Sequence, residues 1–201
     1  MNDTKQIKSE RTKQFIIEMT APIFNRKGYA GTSISDLTEA TGLTKGSIYG
    51  NFKNKDEVAI HAFKHNVDFI ISSIRNELDK ADTYFDKLMV YPKFYRNIYK
   101  SISSFGGCPI INTLVESDDT HEDLRLMAAK IISMWNSTIV NIVSKGINKG
   151  EFKKDADPEM IADLVISLVE GGVAMTKATG KENYILSAAK HLEQFIISIK
   201  A

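Results

Sequence analysis

Between Thr32 and Glu57 the chain reads TSISDLTEATGLTKGSIYGNFKNKDE, and this stretch gathers Ser33, Thr44, Lys45, Gly46, Ser47, Tyr49, Asn51 and Lys55. Hydroxyls, an amide, a phenol and two ammonium groups beside a small residue suit phosphate oxygens and base edges. The chemistry they offer is recognition of a nucleic acid.

The surrounding residues specify the elements that would hold these groups. Ser33 precedes Ile34 and has Asp36 three residues on, which marks an N-cap with an acid in the first turn. The helix it opens carries Ile34, Leu37 and Ala40 on one face. Gly42 supplies the reversal at its C-terminus, and Leu43 can fold back onto it. Thr44 caps a second helix, Lys45 to about Asn51, in which Ile48 is the one clear apolar position. Gly46 and Ser47 leave its start open to close approach by a phosphate or a base. Asn54 and Glu57 cap a third helix whose first turn holds Lys55, a cation where the helix dipole disfavours one. A phosphate beside Lys55 would relieve that conflict. The unit reads as a helix-turn-helix.

Phe24, Gly28, Tyr29, Thr32, Ser33 and Ile34 form the run F-x(3)-G-Y-x(2)-T-S-I, and Thr44 to Lys55 forms T-K-G-S-I-Y-x-x-F-x-x-K. This arrangement resembles the DNA-binding domain of the tetracycline-repressor (TetR) family of bacterial transcription regulators. The segment Gly106 to Glu116, G-G-C-P-I-x-N-x(3)-E, is similar to one found in a subset of that family. The resemblance implies a regulator, usually a repressor, that binds palindromic double-stranded DNA as a homodimer and needs no cofactor; the polar N-terminus and the lone cysteine lead to the expectation of a cytoplasmic location. The resemblance further implies release by a small molecule, apolar or aromatic, whose binding tilts the fourth helix. Lys45, Gly46, Ser47, Tyr49 and Asn51 would meet bases and phosphates, and Ser33, Thr44 and Lys55 phosphates. Gly50 stands where many relatives carry a larger side chain, so fewer base contacts are expected there.

Composition agrees with this division. Residues 1–55 hold nine Lys and Arg against five Asp and Glu, a surplus of +4 that leaves −3 for the rest. A basic head of residues 1–55 on an acidic body of residues 56–201 suits a protein that meets a polyanion at one end. The 43% hydrophobic content is ample for a packed core, and a single cysteine excludes an intramolecular disulfide. No apolar run approaching a membrane span, of roughly 20 residues, and no signal peptide is expected.

The chain reads as all-α, about nine helices. The first spans about Lys5 to Lys27, with Phe15, Ile16, Met19, Ile23 and Phe24 at helical spacing and a kink expected at Pro22. The fourth runs from Lys55 to about Lys80, with Asp79 to Asp82 as a polar linker. Aromatics from Tyr84 to Phe105 read first as core and alternatively as a cavity lining. The effector candidates are Phe63, Val67, Ile70, Tyr91, Phe94, Tyr95, Phe105, Cys108, Ile131, Met134, Trp135 and Val169. Cys108 reads as a buried packing residue, with a sensor thiol as the alternative. A long helix capped by Asp119 or Thr120 would turn Leu124, Met127, Ile131, Trp135, Thr138 and Ile142 inward.

The last two helices carry the dimer candidates Ile161, Val165, Leu168, Gly172, Ile185, Ala189, Leu192, Phe195 and Ile196. Glu57, His61, His65 and Asp68 share a helix face that could hold a metal, but surface charge pairing explains the row more simply. No nucleophile or phosphate-loop motif supports an enzyme. The rivals are a helical enzyme or carrier that has lost DNA binding, and an architectural helical dimer.

Overall fold

The computed structural model describes residues 2–201, with the side chains of residues 2–6, 8 and 101–104 outside the description. Helix α1 (Asn2–Gly31) keeps helical dihedrals through Pro22 and breaks instead at Gly28, where φ is 72° and ψ is 179°. The kink expected at the proline does not form, and the break falls where the spacing ended the first helix, just past Lys27. Ile16, Ile17, Ala21 and Phe24 face the core, whereas Phe15 and Met19, expected on the same stripe, are exposed.

Beyond the break come α2 (Ile34–Thr41) and α3 (Lys45–Tyr49), two residues shorter than the spacing suggested. Leu37, Ile48, Phe52, Val58 and Ala62 close the small core between them, α1 and the start of α4 (Lys55–Asp79). Helix α4 is on the order of 37 Å long and continues into the body.

The body holds α5 (Tyr84–Ser104), α6 (Pro109–Ser117), α7 (Glu122–Asn148), α8 (Pro158–Thr179) and α9 (Asn183–Ser198). Among the described residues the one strand-like pairing is an isolated bridge between Phe152 and Lys200. Helix α7 is capped by His121 rather than by Asp119 or Thr120, its Nδ1 accepting from the Leu124 N–H. Among the described residues α7 alone is long and apolar enough to cross a membrane, with a mean hydropathy of 1.3. That corrects the expectation of no such run. Its Leu124, Ala128, Ile139, Ile142 and Val143 are buried against the body, while Met127, Ile131 and Trp135 are half-buried and Thr138 is exposed.

Helices α8 and α9 turn most of the dimer candidates toward each other. Ile161, Val165, Gly172, Ile185, Ala189, Leu192 and Ile196 are buried within the single chain, and Leu168 and Phe195 are half-buried. A stripe on each of two helices can be satisfied by the other helix as well as by a second copy. Here a Cβ on Gly172 would meet Ile185 and Ala188 at 3.0–3.1 Å, so this glycine serves the contact between α8 and α9. Gly171 next to it is exposed and faces open space.

Candidate nucleic-acid interface and its coupled cavities

The turn between α2 and α3 is built as the residue types dictate. The Ser33 hydroxyl accepts from Asp36 N–H at 3.2 Å, and Asp36 accepts in return from Ser33 N–H at 2.8 Å, closing a capping box. Lys27 adds an ion pair to Asp36 at 2.5 Å, and these contacts lower its carboxyl to about 2. Gly42 takes the left-handed conformation, and the Thr44 hydroxyl accepts from Ser47 N–H at 3.2 Å. Buried Ile48 anchors α3, leaving Thr44, Lys45 and Gly46 exposed and Ser47 and Tyr49 half-buried. Among the described residues Lys45 has no ion-pair partner.

Besides the capping hydroxyls of Ser33 and Thr44, Asn51 and Lys55 are engaged internally. The Asn51 amide donates to Ser47 C=O at 2.9 Å, and its oxygen accepts from the Ser9 hydroxyl at 3.3 Å. Lys55 donates to the carbonyls of Tyr29 at 2.8 Å and Thr32 at 2.9 Å, and its Nζ lies 4.1 Å from the centre of the Tyr29 ring. The charge conflict at the start of α4 is thus relieved by carbonyl oxygens of the chain itself.

The metal row is also engaged. Glu57 accepts from Lys53 N–H at 2.7 Å and pairs with Lys13 at 3.3 Å. Its carboxyl is held below the usual range, first by the Lys53 N–H.

The seam between head and body is held by polar residues that the sequence reading did not assign. The Glu116 carboxylate on α6 accepts from the N–H groups of Tyr29 and Ala30 at 2.7 and 2.8 Å. A Cβ on Gly28 would lie 2.3 Å from that carboxylate, so the break in α1 leaves room for it. Asn25 on α1 donates to the carbonyls of Phe105 and Gly107 at 2.8 and 3.0 Å. Asn112 donates to Asn25 Oδ1 at 3.0 Å and to Gly106 C=O at 2.8 Å, and Lys177 donates to Asn112 Oδ1 at 2.8 Å. Tyr29 donates to Asp56, which raises its phenol to about 12, and the His121 ring meets it edge-on at 4.8 Å. The signal for Asn112 and Glu116 was their i, i+4 spacing on one face of a short helix.

Two mainly apolar cavities bear on the effector candidates. One of about 210 Å³ is walled by α4, α5 and α7, and Ile70, Tyr91, Tyr95, Ile131, Met134 and Trp135 of the candidates line it. Arg75 adds a cation to its wall. A second, of about 340 Å³, is lined by Ile70, Phe94 and Phe105. Phe63, Val67, Cys108 and Val169 line neither and belong to the core. The Tyr95 hydroxyl and Trp135 Nε1 are buried without a hydrogen-bond partner among the described residues. The Cys108 thiol donates to Glu170 at 3.1 Å, and burial pushes it well above its usual range, which suits a packing residue rather than a reactive thiolate. Burial raises Glu170 to about 7.

Comparison with known proteins places this geometry. Residues 16–62 match the family of bacterial regulatory proteins of the tetR type, and residues 85–192 match the tetracyclin repressor-like C-terminal domain. A TetR-family transcriptional regulator from Cytophaga hutchinsonii is 47% identical over 96% of this chain and 97% of its own, with a TM-score of 0.91. The HTH-type transcriptional repressor DhaR of Mycobacterium sp. (strain GP1) is 22% identical over 82% of each. The regulator CifR, solved with 26 bp double-strand operator DNA, shares the fold at a TM-score of 0.76 and 20% identity, over 90% of this chain and 94% of its own. With a capped helix-turn-helix, a helical body and these matches together, the chain belongs to the TetR family and is a DNA-binding transcriptional regulator, not an enzyme.

Proposed function

We propose that the protein is a cytoplasmic repressor that binds a palindromic operator as a homodimer and is released by an apolar or aromatic small molecule in the body cavity. The observation that carries this reading is α4. Its first turn is fixed in the head by the Asn54 cap and by Lys55, while Ile70, Ile71, Ile74, Arg75 and Leu78 farther along the same helix line the cavity of about 210 Å³. A molecule that shifts those residues moves the recognition helix of each protomer. Half-sites lie about 34–36 Å apart, or a multiple of that, so a change in separation lowers affinity. A coupling of about 1–3 kcal/mol suffices.

In this reading Thr44, Lys45, Gly46, Ser47 and Tyr49 meet DNA and Ser33 lies at its edge. Asn51 and Lys55 chiefly hold the helices in place. The head is residues 1–55 and the body 56–201. The second copy docks on the outer face of α8 and α9, around Met160, Gly171, Met175, Tyr184 and Ile197, all exposed in the single chain. Selection from a random duplex pool tests the reading: enrichment of a palindrome is expected, and no enrichment over background overturns it.

A further inference from the structure

The second of these cavities lies where α1, α4 and α5 meet the loop Phe105 to Pro109, so head and body both wall it. Its volume of about 340 Å³ falls in the range of small-molecule sites. The wall is mainly apolar and offers acceptors among its few polar groups. Asn66 donates one amide N–H to the Ala21 carbonyl at 2.8 Å and keeps its oxygen as an acceptor beside a second N–H. Pro22 has no N–H, so the Glu18 carbonyl lacks the donor that the next helical turn would supply. Glu18, Pro22 and Asn66 all line the space. No Lys or Arg stands among the described lining residues, where the titratable groups are Glu18 and His65. Phe69 and Phe105 also line it, 62% and 47% exposed, with ring centroids 6.1 Å apart. Paired exposed aromatics of this kind are what an apolar molecule would cover.

We propose that this junction cavity is a second ligand site, for a neutral and mainly apolar molecule carrying an O–H or N–H donor. The lack of Lys and Arg among the described lining residues disfavours an anion, the Asn66 oxygen and the Glu18 carbonyl opposite the proline suit a donor, and the phenyl pair calls for apolar surface. Asn25 lines the same cavity while holding the Phe105 and Gly107 carbonyls, so an occupant acts on the seam without passing through the body cavity.

N-phenylnaphthylamine, neutral with one N–H, is a suitable fluorescent probe for titration of the full chain. Thr138→Trp fills the body cavity alone and Ser73→Trp fills the junction cavity. Saturable binding of one probe per chain is expected to persist in Thr138→Trp and to fall at least about tenfold in the double variant. Pro22→Ala restores the missing N–H with little change of shape, and in the Thr138→Trp background it is expected to weaken binding about fivefold. Anilinonaphthalene sulfonate, which carries a negative charge, is expected to bind at least about tenfold more weakly. Abolition of binding by Thr138→Trp alone, equal binding by the double variant, or equal binding of the anionic probe overturns the assignment. Circular dichroism verifies folding, and the titration needs no operator, so its outcome is independent of how DNA is released.

Discussion

The Glu116 carboxylate, on α6 of the body, accepts a hydrogen bond from the Tyr29 N–H at 2.7 Å, in the residue after the break in α1. One acid thus satisfies two backbone donors, those of Tyr29 and Ala30, left free where the helix is interrupted.

Removing that acid should loosen the seam. Glu116→Ala is expected to cost about 1.5–3 kcal/mol of local stability, read by hydrogen exchange as lost protection at the Tyr29 and Ala30 amides. Gly28→Ala adds a Cβ 2.3 Å from the same carboxylate at a φ of 72° and should cost at least ~1 kcal/mol. The double variant should lose less than the two singles together, and strict additivity would sink the proposed contact.

Lys45 and Lys55 should separate by salt dependence. Lys45→Ala is expected to lower the slope of log affinity against log salt by about one unit. Lys55→Ala should weaken operator binding with a smaller change of slope, because its ammonium holds the Tyr29 and Thr32 carbonyls. Equal slope changes in the two variants would return Lys55 to the phosphate role that the family resemblance implies.

Stability should fall as pH rises from about 5 to beyond 7. Burial raises Glu170 from 4.5 to about 7, so across that window the folded chain holds a proton that the unfolded chain has lost. The slope attributable to this group is at most about 1.4 kcal/mol per pH unit. Glu170→Gln should flatten it in denaturant unfolding at several pH values, and an unchanged slope would assign the dependence to other groups.

Tyr95→Phe should raise stability or leave it unchanged, by up to ~1 kcal/mol, since the hydroxyl is buried without a partner among the described residues. A loss above about 1 kcal/mol in urea unfolding would mean that an ordered water satisfies it.

Gly171→Glu should convert a dimer to a monomer in sedimentation velocity without unfolding it, because the site is exposed and faces open space. Leu192→Glu, at a buried position, should instead unfold the chain. A dimer that survives Gly171→Glu places the interface elsewhere.

Much of the head was legible from residue order. Ser33, Gly42, Thr44 and Asn54 each act on backbone within a few residues, and such local requirements leave a local signature. The seam was only partly legible. The spacing of Asn112 and Glu116 could be seen, but their partners lie 87 residues away, and no periodicity reports a contact at that separation. The aromatic stripe of α5 behaved likewise: Tyr91 and Tyr95 line one cavity and Phe94 another, a division set by which helix lies opposite.

By itself, then, the sequence determined the helices, the caps of the head, the helix-turn-helix and the basic head, since these follow from neighbours along the chain. Only the tertiary structure decided that Lys55 turns inward, that the apolar stripes of α8 and α9 serve each other, and that Glu116 ties body to head. An apolar stripe or a lone charge states what must be satisfied. Which group satisfies it is settled by packing, where partners distant in sequence compete for the same surface.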